Sequence, residues 1–153
     1  MASLKLPIVS LLSAVVIAAC TGKPNTPPPA TPQPQASAVT ALQSVVLKPG
    51  SGAAVAGGQI AVVQYTGWLY DSAASDNKGK QFDSSRTGRE PFKFPVGTGS
   101  VIKGWDQGVA GMKIGETRRL IIPPDLAYGD SGTGGVIPPG ATLVFDVELV
   151  GIE

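Results

Sequence analysis

The spacing of apolar residues predicts a domain of strands in the C-terminal part of the chain. Residues 142–152 follow a period of two, in which Leu143, Phe145, Val147 and Leu149 would face one side and Asp146 and Glu148 the other. This alternation is typical of a strand with one buried face. Segments rich in β-branched and aromatic residues predict further strands at 45–48, 59–70, 92–96 and 118–122. Pro95 favours an edge or a bulge for its strand, and the polar, turn-rich segment 71–80 predicts a loop.

One segment has helical rather than strand-like spacing. Its apolar residues recur at i, i+1, i+4 and i+8, as Val101, Ile102, Trp105 and Val109. Ser100 is the predicted N-cap, and Gly108 and Gly111 would keep the helix short. Several antiparallel strands and one short helix predict an α+β fold, in which a curled antiparallel sheet wraps around the helix.

The first residues of the chain have the features of an export signal. A nearly unbroken run of fourteen apolar and small residues, 6–19, follows the single charge of Lys5. At about 1.5 Å per residue it spans roughly 21 Å, short of the roughly 30 Å core of a bilayer, so a cleaved signal is favoured over a membrane helix. The run ends in Ile17-Ala18-Ala19-Cys20, which resembles a bacterial lipobox. Residues 1–19 are therefore predicted to be a signal peptide and Cys20 a lipidation site; the alternative is an ordinary signal with an incidental cysteine.

A proline-rich segment separates this signal from the predicted domain. Residues 21–40 contain six prolines and no aromatic residue, so they cannot bury enough apolar area to offset the entropy of ordering. We interpret 20–40 as a tether, with a proline-rich ligand for another domain as the competing interpretation. All nine aromatic residues lie between Tyr65 and Phe145, which assigns the folded domain to 41–153.

The amino-acid composition excludes several classes of catalytic and binding site. The chain contains no histidine and one cysteine, which excludes Ser-His-Asp and Cys-His catalysis and imidazole metal sites. Twelve basic residues oppose eleven acidic ones, which gives no electrostatic case for nucleic acid binding. Neither a dinucleotide fingerprint, a phosphate loop nor a calcium loop has the required spacing. We expect no metal and no cofactor.

Six short motifs carry a resemblance to a known family. In order along the chain they are Val63-Gln64-Tyr65-Thr66-Gly67, Phe82-Asp83-Ser84-Ser85, Val101-Ile102-Lys103-Gly104-Trp105, Ala127-Tyr128-Gly129, Ile137-Pro138-Pro139 and Leu143-Val144-Phe145-Asp146-Val147-Glu148-Leu149. Each is weak alone, but their order and spacing together resemble the FKBP-type peptidyl-prolyl cis-trans isomerases over nearly all of 44–153.

The resemblance implies a pocket between helix and sheet and a role for each of its residues. It implies catalytic roles for Tyr65, Asp83, Ile102 (through its backbone N–H) and Tyr128. It implies substrate contacts for Trp105 as the floor, for Phe82, Phe92, Val101 and Phe145 as walls, and for Val136 and Ile137 near the rim. Without the resemblance, the aromatic residues on the strands and helix would be read as ordinary core.

The resemblance and the N-terminal signal together imply a function and a location. The expected protein is a monomeric isomerase of proline-containing polypeptides that needs no cofactor and that macrolides can inhibit. It would be exported, anchored to the bacterial cell envelope through Cys20, with its domain on the periplasmic or outer side. The alternative is a module that binds proline segments or macrolides with little turnover, as a chaperone would.

Overall fold

The computed structural model describes residues 39–88 and 90–153. The predicted signal peptide, Cys20 and nearly all of the predicted tether lie outside the described residues. The elements are strands β1 (Gln43–Lys48), β2 (Ile60–Tyr70), β3 (Lys78–Ser84), β4 (Phe92–Pro95), β5 (Thr117–Ile122) and β6 (Leu143–Ile152), with helix α1 (Lys103–Val109) between β4 and β5. No helix in these two ranges is long and apolar enough to cross a membrane.

The strands form one sheet in which every pairing between strands is antiparallel. The order is β1–β5–β6–β2–β3, and β4 pairs with β2 beside β3. β3 and β4 thus share one edge of β2, with β4 on the residues 60–63 and β3 on the residues 66–70. A sheet of this kind with one short helix confirms the predicted α+β fold, and β4 has the edge position that its proline predicted.

The core lies between α1 and the inner face of the sheet. The alternation predicted for β6 is confirmed, because Leu143, Phe145, Val147 and Leu149 are all buried and Asp146 and Glu148 are only partly so. From the helix, Trp105 and Val109 pack into the same cluster, which also includes Leu120 and Ile122 of β5. Burial of this apolar area contributes roughly 25 cal/mol per Å² to folding and fixes α1 against the sheet.

The structure differs from the sequence-based predictions in two places near the site. The predicted loop 71–80 ends earlier, because residues from Lys78 onward form β3. The sequence of these residues is polar and has no apolar period, so it did not predict a strand. The strand forms because its backbone pairs with the free edge of β2, for example at Tyr70 and Trp68. Ser100 is not the N-cap. Ile102 occupies that position without a side-chain cap, and the Ser100 hydroxyl lies 2.8 Å from that of Thr98 instead.

Candidate functional site

A cavity of about 240 Å³ opens between α1 and the sheet. It collects all but two of the site residues predicted within the domain, although these lie far apart in the sequence. The lining consists of Tyr65, Phe82, Asp83, Phe92, Ser100, Val101, Ile102, Trp105, Tyr128 and Phe145. The lining is mostly aromatic and aliphatic, with few polar groups.

Trp105 forms the floor of this cavity from the first turn of α1. Its ring meets three others edge to face, with centroid distances of 4.9 Å to Tyr65, 5.3 Å to Phe145 and 6.0 Å to Phe92. Such pairs contribute about 0.5–1.5 kcal/mol each beyond their buried area, so the rings hold one another in place. The buried Nε1 of Trp105 has no hydrogen-bond partner among the described residues.

Gly67 makes the other aromatic wall possible. The rings of Phe82 and Phe145 stand perpendicular to each other at 5.5 Å, directly over this position of β2. A Cβ on Gly67 would lie 2.7 Å from Phe145 Cε1 and 2.8 Å from Phe82 Cζ, which is closer than packed atoms approach. Gly67 belongs to a quoted motif but was not predicted as a site residue. Only the packing against it shows its role.

Tyr65 lies where neither β3 nor β4 pairs with β2. The missing backbone partner is replaced by a side chain, since the Tyr65 N–H donates to Ser85 Oγ at 2.8 Å. The Tyr65 hydroxyl donates to Asp83 Oδ2 at 2.6 Å, and the other carboxylate oxygen accepts from the Ser84 N–H at 2.8 Å. Burial and this bond to Asp83 raise the pKa of Tyr65 above its ordinary value. The phenol therefore stays protonated, and Asp83 lies beside Tyr65 as the resemblance implied.

Two hydrogen-bond donors are placed to meet a bound carbonyl group. Tyr128 lines the cavity while 40% exposed, and burial together with the charge of Asp83 raises its pKa. Ile102 lies at the start of α1, and its backbone N–H has no backbone acceptor in the part of the chain that the structure describes. Both donors were predicted from the resemblance, and their contact with a substrate stays a prediction.

Val136 and Ile137 are the predicted residues that the structure does not bring to the cavity. Thr133 and Ile137 exchange two backbone hydrogen bonds of 3.0 and 3.1 Å, which close a tight turn. This turn directs Ile137 into the core, where it is 4% exposed, and leaves Val136 at 49%. Neither lines the cavity, so the rim position expected for Ile137 is not observed. Ser100, which was not predicted, does line it.

The chemistry of the lining suits binding rather than covalent attack. Its one carboxylate, on Asp83, is engaged by Tyr65 and by the Ser84 N–H. Within residues 39–88 and 90–153, no group of three or more potential metal ligands comes together. The cavity can hold an apolar ring against Trp105 and donate hydrogen bonds to neutral carbonyl groups.

Sequence comparisons identify relatives over the same region. Residues 52–150 match the profile of a family described as "FKBP-type peptidyl-prolyl cis-trans isomerase". The Drosophila melanogaster protein "Peptidyl-prolyl cis-trans isomerase Fkbp12" is 49% identical over 73% of this chain and 98% of its own length. The Dictyostelium discoideum protein "FK506-binding protein 1" is 49% identical over 71% of this chain and 95% of its own. "FK506-binding protein 2B" from Rhizopus delemar is 57% identical, but the match spans only 41% of that protein.

A solved structure agrees with the sequence matches. The crystal structure of AtFKBP13 superposes with a TM-score of 0.64 and 39% sequence identity. The superposition covers 76% of this chain and 96% of that one. Fold, family profile and relatives all point the same way: the chain belongs to the family of FKBP-type peptidyl-prolyl cis-trans isomerases.

Proposed function

We propose that this isomerase rotates X–Pro bonds of exported polypeptides in the cavity above Trp105, while a lipid on Cys20 holds it at the bacterial cell envelope. The isomerase activity follows from the family. The observation that supports the site is the cavity itself, which combines a closed aromatic floor with the Ile102 N–H and the Tyr128 hydroxyl. It would hold a proline ring against indole and its neighbouring carbonyl groups against donors.

The reaction requires a site that excludes water and fits the twisted peptide bond. Rotation about the peptide bond faces a barrier of about 18–20 kcal/mol because amide resonance must be lost. No bond is broken, so neither a nucleophile nor a histidine base is needed. The twisted amide is less dipolar than the planar one, and a cavity lined by Trp105, Phe92 and Phe145 therefore solvates it relatively better than water does.

Rigid walls add to this effect by differential binding. Only contacts that are stronger in the transition state raise the rate, and the interlocked rings around Trp105 are fixed before substrate arrives. The two donors would strengthen as the carbonyl groups turn toward them. A lowering of the barrier by about 7 kcal/mol corresponds to roughly five orders of magnitude in rate.

The test is cis–trans exchange of one proline peptide, followed by NMR with the purified full-length chain. We expect faster exchange with the wild type. Tyr128→Phe should reduce kcat/KM about fivefold, the value of one hydrogen bond of roughly 1 kcal/mol. Tyr70→Phe, on β2 but outside the cavity lining, is the matched control and should leave the rate unchanged. Peptide binding without faster exchange would instead support the alternative, a proline-segment module with little turnover.

Macrolide binding is proposed for the same cavity. Two of the relatives are named for binding FK506, and this cavity offers the apolar volume that a macrolide ring would fill. FK506 should compete with the proline peptide in the NMR assay. Failure of FK506 to displace the peptide would contradict macrolide binding while leaving the isomerase site intact.

The location at the cell envelope rests on the sequence that precedes the domain. The apolar run ending in Cys20 supports export and lipidation, and twenty residues of proline-rich tether would reach roughly 60 Å at about 3.1 Å per residue. Metabolic labelling with palmitate should mark the wild type and not Cys20→Ser. An unlabelled wild type would contradict the anchor. Because one chain supplies the whole cavity lining, we also propose a monomer, which light scattering on the purified protein will test.

A further inference from the structure

One carboxylate fastens the segment that joins β4 to α1. Asp106, in the first turn of α1, accepts two backbone hydrogen bonds from the preceding loop. The Gly97 N–H donates to Asp106 Oδ1 at 2.9 Å, and the Gly99 N–H donates to Oδ2 at 2.8 Å. Both oxygens of a single side chain are thus used to hold two alternate residues of one loop.

The loop is shaped to present these donors. Gly97 and Gly99 have φ angles of 76° and 75°, a backbone conformation that residues with a side chain rarely adopt. Backbone N–H groups in a tight turn can form a concave site for an anion, and here those of Gly97 and Gly99 meet the Asp106 carboxylate. The residue between them is held as well, since Thr98 Oγ1 donates to the Pro95 carbonyl at 3.1 Å.

The residues on either side of this bridge form two parts of the cavity. The loop continues directly into Ser100, Val101 and Ile102, which line one wall. They include the Ile102 N–H, which has no backbone acceptor within residues 39–88 and 90–153. Asp106 itself follows Trp105, the floor. The Asp106 carboxylate therefore connects the helix that carries the floor to the loop that carries the wall.

We propose that Asp106 is a positioning residue for isomerisation, which fixes the Val101–Ile102 wall and the Ile102 N–H relative to the Trp105 floor. The proposal rests on the proposed function, because it assumes that the bond rotates in this cavity. Without the carboxylate, the two glycines would let the wall move. A displacement of about 1 Å in a group that meets the reacting amide can cost roughly a hundredfold in rate.

The test compares Asp106→Asn with Asp106→Glu in the full-length chain. The asparagine amide keeps one acceptor oxygen but turns an NH₂ group toward a backbone N–H, so one of the two bonds is lost. We expect kcat/KM to fall about tenfold, less than for complete displacement, and mainly through kcat. Glutamate keeps both oxygens and should restore the rate to within about threefold of wild type. Glu153→Gln, which breaks the exposed ion pair of Glu153 with Lys93, is the control and should change nothing.

NMR separates positioning from a general loss of stability. In Asp106→Asn, the amides of Gly97 and Gly99 should exchange faster and the Ile102 amide resonance should shift, while the urea midpoint stays near that of wild type. An unchanged kcat/KM in Asp106→Asn would overturn the proposal, as would a glutamate variant no better than asparagine. Either result beside a normally active wild type would leave the proposed function standing, whereas an inactive wild type would refute the proposed function itself.

Discussion

The two tryptophans lie on opposite sides of the sheet, and their surroundings differ in kind. Trp105 packs against the inner face among aromatic rings, and its Nε1 has no partner among the described residues. Trp68 follows the inward-facing Gly67 on β2 and therefore points to the outer face, where Lys78 Nζ lies 4.2 Å from its ring centroid. On the inner side the Trp105 ring lines the cavity, whereas on the outer side the Trp68 ring faces the ammonium group of Lys78.

The outer side is organised around Asp146, the neighbour of the cavity residue Phe145. Asp146 accepts from Arg119 Nε at 2.7 Å and Nη2 at 3.1 Å, and from Lys78 Nζ at 2.6 Å. Burial acts to raise the pKa of Asp146, but these bonds outweigh it and hold the pKa below its usual value. β6 thus contributes Phe145 to the cavity on one face and Asp146 to an ionic network on the other. Substitutions on the two faces of β6 and β2 should therefore separate activity from stability.

The largest effect expected is that of Trp105→Ala on the inner side. Removing the floor leaves a cavity in the core and should destabilise the domain by about 3–5 kcal/mol. Isomerase activity should fall roughly a hundredfold, since the rings it orients lose their support. Trp68→Ala should cost only about 1–2 kcal/mol, from partial burial and the cation–π contact, with activity unchanged. Urea unfolding and peptide exchange measure the two effects, and equal loss of activity in both variants would contradict the division into two faces.

Gly67→Ala tests the inner face with a single methyl group. Because the added Cβ would clash with Phe82 and Phe145, these rings must move, at about 1–3 kcal/mol. We expect kcat/KM to fall by more than the decrease in the folded fraction of the protein accounts for. Gly151→Ala is the matched control, since its Cβ would meet Val62 only at the ordinary contact distance of 3.6 Å. If both variants behaved alike, the close packing over Gly67 would not matter for the reaction.

Asp146→Asn, on the outer face, should instead reduce stability and leave activity nearly unchanged. Losing the charge that Arg119 and Lys78 share should cost about 1–2 kcal/mol and leave exchange catalysis within twofold of wild type. The sign of the pH dependence follows from the lowered pKa. The contribution of Asp146 is present above its unfolded pKa of about 3.9 and is lost as pH falls through the lower folded value.

Unfolding of wild type and Asp146→Asn should therefore be compared at pH 7 and under acid conditions. The difference between them should be full at pH 7 and shrink below about pH 4. A difference that grew under acid conditions, or a loss of isomerase activity at pH 7, would show that the outer network does not act as described.

The sequence predicted the inner face far better than the outer one. The period of two in β6 identifies which residues point inward, and the helical spacing around Trp105 identifies the element they meet. From the sequence, Asp146 is predicted only to lie on the outer face of β6. Its ion pairs are not predicted, because Lys78 lies in the segment predicted as a loop and Arg119 lies on a strand remote in sequence. A local pattern contains no information about which charges a sheet will bring together.

The same limit explains two departures from the expected positions near the site. Ile137 belongs to a motif of the family, but the turn closed by Thr133 decides that it packs inward. The residue type of Ser100 predicts a helix cap, but the helix begins after Ile102, and Asp106 holds the preceding loop through Gly97 and Gly99. In each case the observed position is accompanied by hydrogen bonds between residues several positions apart, which a local pattern does not reveal.

The smallest effect expected is that of pH on catalysis. The chain has no histidine, and the hydroxyls of Tyr65 and Tyr128 have pKa values raised above the ordinary tyrosine value by burial and by Asp83. Both phenols therefore remain protonated donors throughout the neutral range, and the rotation itself transfers no proton. We expect kcat/KM for peptide exchange to stay constant within about twofold between roughly pH 6 and pH 9, below the ordinary tyrosine pKa of about 10. A bell-shaped profile in that range would mean that an ionising group takes part in the inner face's chemistry, and the contrast with the titrating outer face would no longer hold.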